Sequence, residues 1–185
     1  MNRPPIPKNE KERLISLKQY KLLESEQEDI YDNITWVVSN VLGVPISLIS
    51  LISEDRQWFK SVHGLKDTTE TTRDIAFCAY TILNNEILEI EDALDDERFK
   101  NNPLVKNDPK IRFYAGSPLI NKDGFPLGTL CIIDSKPKKL TLEQKEILKK
   151  MSRVVMAIFE MSKNIKNCSE EKQKLIAELN LLKNK

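Results

Sequence analysis

Nowhere among the 185 residues does an apolar run approach the roughly 18–20 residues that a membrane span requires, so no spanning helix is expected. Met1-Asn2-Arg3-Pro4-Pro5 leads into charge rather than into the apolar core of a signal peptide, which predicts a cytoplasmic protein. There is one histidine, His63, so a metal centre or catalytic triad built on several imidazoles is excluded. The three cysteines, Cys78, Cys131 and Cys168, are an odd number without CxxC spacing; neither a disulfide framework nor a zinc site is implied, and reduced thiols are expected. An excess of one sign of charge is also missing. Lys plus Arg total 29 against 28 for Asp plus Glu, which argues against nucleic acid or an anionic membrane as a partner.

What is present is a regular alternation of helical and strand patterns. After a proline-rich lead-in over residues 1–8, Asn9 is placed to cap a helix carrying Leu14, Leu17 and Leu22 and ending near Ser25. A second helix from about Gln27 has Ile30, Ile34, Val37, Val38 and Val41 as its expected buried stripe and Gly43 as its stop. Residues 46–53 read as a central strand, 54–56 as a turn and 57–63 as its antiparallel partner, with Trp58 and Phe59 on opposite faces, one in the core and the other partly exposed or meeting a partner. Residues 66–72 read as a loop, 75–83 as a short helix capped by Asp74, 86–90 as a short strand, and 92–109 as a long ordered loop of the kind that often carries function.

Residues 111–135 then form the clearest local signal. Two apolar runs flank Asn121-Lys122-Asp123-Gly124, which has the chemistry of a tight turn, so a hairpin is expected. It is either plain core or the floor of a ligand pocket, because Tyr114, Ser117 and Cys131 set polar or soft groups among the apolar ones. Finally, Thr141 and Gln144 have the spacing of a capping box. The helix they open repeats apolar residues every three and four positions from Ile147 through Met161 and Ile165 to Leu182, with Lys172 in one place of the seam. A stripe that continues so far past a domain core predicts pairing with a second helix, as a parallel dimer, the alternative being that the helix folds back on its own domain.

The stretches LISEDRQWFKSVHGL, RDIAFCAYTI, DDERFKNNPLV and IRFYAGSPLINKDGFPLGTLCIIDSKPKKLT, in this order, resemble the GAF domain, and in particular the branch found in bacterial sensor kinases and cyclic-di-nucleotide signalling proteins. The resemblance covers roughly residues 22–155. It implies an α+β fold, a central antiparallel sheet flanked by helices with a long C-terminal coiled-coil helix. The expected division is an N-terminal lead-in and helix (1–25), the sensory domain (26–160) and the coiled-coil helix (161–185). The function implied is a non-catalytic module that binds a small molecule between the sheet and the loops over it. The module forms a homodimer through its terminal helices and relays its state to an output domain or to a partner in trans. A ligand-free dimerisation module and a thiol-dependent reductase of free methionine sulfoxide are the alternatives. The cofactor is unknown.

Family chemistry transfers only in part. Nucleotide-binding relatives follow an Asn-Lys pair with Phe and then Asp-Glu, whereas here Asn121-Lys122 is followed by Leu140 and Gln144-Lys145; the pair is better read as turn chemistry. Bilin-binding relatives use a cysteine beside a histidine, and Cys78 is followed by Ala79-Tyr80. The expected ligand-binding set is therefore Arg73, Asp74, Phe77, Cys78, Tyr114, Ser117 and Cys131: an arginine for a carboxylate or phosphate, an aromatic wall, and two thiols that could face one pocket. No catalytic or metal-binding residue is assigned.

Overall fold

The computed structural model describes residues 3–66 and 68–183. Six antiparallel strands, β1 (Ile46–Ile52), β2 (Arg56–His63), β3 (Glu70–Thr72), β4 (Leu88–Ile90), β5 (Phe113–Ile120) and β6 (Pro126–Asp134), form one sheet in the order β3-β2-β1-β6-β5-β4. Both faces are covered, which is why all seven residues of β1 are buried and its sequence reads as continuously apolar or small. The α+β expectation is met.

One face carries α1 (Glu10–Gln19), α2 (Asp29–Leu42) and α5 (Leu142–Lys183), packed on Ile49, Leu51, Trp58, Phe113, Leu130 and Ile132. The other carries a 3-10 turn (Arg73–Ile75), α3 (Phe77–Thr81), α4 (Pro103–Lys106) and the intervening loops, packed on Leu48, Phe59, Tyr114, Cys131 and Ile133. Trp58 and Phe59 do take opposite faces, yet both are buried, because each face has its own layer. The expectation that one of them is partly exposed is corrected for that reason.

The β1–β2 register shifts opposite Ile49 and Ser50, where β2 carries an extra residue. This bulge puts Lys60 and Ser61 together on the helix side. The fully buried Lys60 ammonium is held by Glu28 (2.7 Å), the Ser25 hydroxyl (2.8 Å) and the Glu26 carbonyl (2.5 Å). Ser61 donates to Asp32 at 2.6 Å. A charge that would cost several kcal/mol unpaired thus fixes the chain between α1 and α2 against the sheet.

Local corrections have simple causes. Asn9 makes no side-chain cap bond, and α1 stops at Gln19 because Lys21 turns to positive φ. The buried face of α2 is Tyr31, Ile34, Thr35, Val38 and Leu42, leaving Ile30, Val37 and Val41 exposed; apolar residues on two faces made the wrong stripe equally plausible. Asp74 does not cap α3, which is preceded instead by the 3-10 turn, and residues 70–72 of the expected loop pair with β2. The capping box does form: Gln144 N–H donates to Thr141 Oγ1 at 3.2 Å, and Thr141 N–H to Gln144 Oε1 at 3.0 Å.

α5 runs for 42 residues, about 60 Å at 1.5 Å per residue. Its first part buries Leu148, Ser152, Val155, Met156 and Phe159 against the sheet, with Phe159 meeting Tyr31 edge-on at 5.4 Å. Of the predicted seam, Ile147, Met151 and Ile158 pack partly buried against this core, whereas Val154, Met161, Ile165, Leu175, Leu179 and Leu182 are exposed.

Candidate functional site

A cavity of about 280 Å3 lies on the loop side of the sheet. Leu48, Gln57, Phe59, Tyr114 and Ile133 supply its floor, Phe77 and Cys78 of α3 one wall, and Leu104, Pro109 and Ile111 another. Lys66 and Asp108, both exposed, stand at its rim. The lining is mainly apolar, with two buried polar groups from neighbouring strands. Gln57 Nε2 donates to Cys78 Sγ at 3.3 Å. Among the described residues Thr71 Oγ1 has no hydrogen-bond partner, a costly condition for a buried hydroxyl and one that a bound polar group would relieve.

The wall is rigid by construction. Phe77 stacks on Phe99 with ring centroids 4.0 Å apart and leans on Tyr114 at 5.2 Å. Asn102 ties the layer together: its side chain accepts from Leu104 N–H at 2.9 Å, capping α4, and donates to the Ile75 carbonyl at 2.9 Å.

Behind the wall the two buried thiols meet. Cys78 Sγ lies 3.6 Å from Cys131 Sγ, and Tyr114 Oη lies 3.3 Å from Cys78 Sγ and 2.7 Å from Thr81 Oγ1. Burial alone pushes the Cys78 thiol up, but hydrogen bonds from Cys131, Ser50, Thr129 and Tyr114 together outweigh it and bring Cys78 down to about 6. Cys131 is pushed well up, first by its hydrogen bond to Cys78 and then by burial. Of the two thiols, Cys78 is the one whose surroundings favour loss of the proton.

Of the seven residues expected at a ligand site, Phe77, Cys78 and Tyr114 line the cavity and Cys131 backs it. The other three lie elsewhere. Arg73 donates to Glu10 Oε1 at 2.5 Å and to the Ser53 carbonyl at 2.9 Å, in an internal ion pair with α1 rather than at a pocket mouth. Asp74 is half-exposed and pairs with Arg3 at 3.0 Å. Ser117 bonds Ser152 of α5 at 2.9 Å on the helix side, since a three-residue offset from Tyr114 along a strand reverses the face. Gln57 and Thr71 were missed. The same-face spacing of Gln57 and Phe59 was a usable signal; Thr71, read as loop, offered none.

Asn121 behaves as turn chemistry. Its Oδ1 accepts from Asp123 N–H (3.1 Å) and Phe125 N–H (2.8 Å), and its Nδ2 donates to Ser16 of α1 at 2.8 Å. Among the described residues no group of three or more His, Cys, Asp or Glu could hold a metal ion, and no helix is long and apolar enough to cross a membrane.

The profile of the GAF domain matches residues 26–158. The chain belongs to the GAF domain family. It is 40% identical over 158 residues to a cyclic di-GMP phosphodiesterase of Pseudomonas aeruginosa, an alignment that covers 85% of this chain and 27% of that protein. The chain thus spans about a quarter of that relative's length. Among solved structures, the GAF domain of an Acinetobacter phosphoenolpyruvate-protein phosphotransferase superimposes with a TM-score of 0.61 at 16% identity, covering 84% of this chain and 96% of that one. The free methionine-R-sulfoxide reductase of Neisseria meningitidis gives 0.60 at 14%, covering 84% and 90%. The PixJ GAF domain of Thermosynechococcus elongatus gives 0.56 at 10%, covering 83% and 94%. These likenesses establish the fold. The P. aeruginosa relative sets the domain in a signalling context, and because that relative is named for an enzymatic activity, the expectation that this chain is not an enzyme is overturned.

Proposed function

We propose that this GAF domain is the sensory part of a cyclic di-GMP phosphodiesterase, that it binds a small molecule in the 280 Å3 cavity, and that it relays occupancy through α5 to the output. The observation that carries this reading is a mainly apolar cavity with a buried hydroxyl, Thr71 Oγ1, that has no hydrogen-bond partner among the described residues. The volume falls just under the roughly 300–1,000 Å3 typical of drug-sized ligands. It suits a compact molecule with an apolar body and one hydrogen-bonding group, and is too small for a tetrapyrrole or a cyclic dinucleotide. Phe77, Cys78 and Tyr114 form its contact wall, with Gln57 and Thr71 as polar anchors.

The relay follows from continuity. β5 and β6 carry cavity residues on one face and contact α5 on the other, through the Ser117–Ser152 hydrogen bond and through Leu148 and Val155. A shift in the floor therefore has a packed route to the helix. The exposed stripe of Val154, Met161 and Ile165 on α5, together with exposed Trp36 and Val41 on α2, supports a homodimer in which paired α5 helices carry the signal onward.

Native mass spectrometry of the purified chain, incubated with a bacterial small-molecule extract, tests the binding step. A bound mass of low molecular weight is expected on the wild type and is expected to disappear in Leu48→Phe, which fills the cavity. No bound mass, or equal binding by the filled variant, would overturn the reading.

A further inference from the structure

We propose that Cys78 and Cys131 form a dithiol redox site that reduces one equivalent of a small organic hydroperoxide admitted through the cavity and closes to a disulfide. The geometry divides the roles. Cys78 is a lining residue, while Cys131, on the central strand β6, lies behind it with no exposed surface. A molecule in the cavity reaches Cys78 first, and the second thiol waits at 3.6 Å, a short closure from the bonded sulfur separation of about 2.05 Å. Tyr114 Oη and Gln57 Nε2, each at 3.3 Å, turn their polar hydrogens toward the Cys78 sulfur, the position in which a thiolate is the better nucleophile. The lowered pKa of Cys78 and the raised one of Cys131 agree with this order of attack. Cys168, exposed far along α5, takes no part.

Two steps complete the chemistry. Cys78 sulfur attacks the distal peroxide oxygen; the S–O bond forms, the O–O bond breaks, and the alcohol leaves with the proton that Cys78 gave up. Cys131 sulfur then attacks Cys78 sulfur; the S–S bond forms, the S–O bond breaks, and the hydroxyl departs with the Cys131 proton as water. Two thiols are oxidised by two electrons, and one hydroperoxide becomes one alcohol and one water. The disulfide removes the sulfur acceptor from Tyr114 and Gln57 and draws α3 toward β6, so the cavity wall changes shape. The site does not require any other ligand to be bound, and it stands or falls separately from the small-molecule sensor.

The full chain carrying Cys168→Ser, treated with tert-butyl hydroperoxide, provides the test. Intact mass should fall by two hydrogens, both remaining thiols should vanish from a count made in denaturant, and a tryptic map should contain a linked Cys78–Cys131 peptide. With Cys131→Ser added, Cys78 should gain a single oxygen that dimedone traps. With Cys78→Ser added, oxidation of Cys131 should slow by on the order of tenfold or more. Retention of both thiols at a dose that oxidises free cysteine, or equal reactivity of Cys131 without Cys78, would overturn the proposal. The map of the parent protein answers the question even where a serine variant fails to fold, since unlinked, unmodified peptides there refute it.

Discussion

Replacing Glu10 by Gln isolates the ion pair that joins α1 to the sheet. The carboxylate accepts from Arg13 Nη2 and Nε, both at 2.8 Å, and from Arg73 Nη1 at 2.5 Å. Arg13 is fully buried, the Arg73 side chain is 8% exposed and that of Glu10 15%, so little solvent is available to replace the lost anion. Breaking a buried pair from one side costs about 3–5 kcal/mol, because the remaining charge is left uncompensated. Arg73 keeps the Ser53 carbonyl at 2.9 Å, which favours the lower end, about 3 kcal/mol. For a chain of this size that lowers Tm by roughly 6–12 °C, from about 2–4 °C per kcal/mol. The pH dependence has a fixed sign. Burial by itself raises the Glu10 pKa, but Arg13 and Arg73 together hold it below its ordinary value of 4.5. Its stabilisation is thus complete above that value and is lost as pH falls through the lower, folded one. Thermal and urea melts followed by circular dichroism should show the full gap between wild type and Glu10→Gln at pH 7 and a shrinking gap below pH of about 4. A gap under about 1 kcal/mol at pH 7, within the range of an exposed ion pair, or one that does not change with acid, would refute the reasoning.

Other perturbations read other parts of the molecule. Gly128→Ala sets a Cβ 1.9 Å from the Ser50 carbonyl oxygen in the centre of the sheet and should destabilise by about 1–3 kcal/mol or more in a urea melt. Asn102→Ala removes the α4 cap and its tie to Ile75, costing about 1–2 kcal/mol, with faster hydrogen exchange at Leu104 as the local signature. Thr71→Val replaces an unpartnered hydroxyl by an isosteric methyl; the ligand-free protein should lose no stability and gain up to about 1 kcal/mol, while ligand affinity falls. Met161→Lys with Ile165→Lys charges the exposed seam without touching the core, and sedimentation should then report a monomer whose Tm no longer depends on protein concentration.

Elements whose pattern matched a single environment were legible in the sequence. The hairpin at residues 111–135 appears as β5 and β6 because two apolar runs and a four-residue turn permit little else, and Thr141 with Gln144 marked the start of α5 through local hydrogen bonds alone. Where apolar residues served two purposes the reading failed. In α2, Ile30, Val37 and Val41 are as apolar as the residues that pack, and only the presence of Tyr31 and Thr35 on the other stripe marks the buried side. Arg73 illustrates a different limit. Its partner, Glu10, lies 63 positions earlier, and nothing local distinguishes an arginine that grips a ligand from one that anchors a helix. The thiol pair was half legible: Cys78 and Cys131 could be set on the same pocket from the family resemblance, but their mutual distance and the donors around Cys78 depend on Gln57 and Tyr114 arriving from separate strands.

The structure also clarifies why one domain could couple two surfaces. Successive residues of β5 face opposite layers, so Tyr114 belongs to the cavity while Phe113 and Ala115 belong to the core under the helices. A packed interior transmits a displaced floor rather than absorbing it.

The proposed relay is most directly tested by pulsed electron paramagnetic resonance between spin labels on Cys168, the exposed thiol, since Cys78 and Cys131 are buried. The account predicts an inter-subunit distance between the paired α5 helices that shifts when the dialysed protein takes up the small molecule from extract, and that stays fixed in Leu48→Phe. The absence of any inter-subunit distance, or one distribution common to the loaded and dialysed wild type, would contradict it.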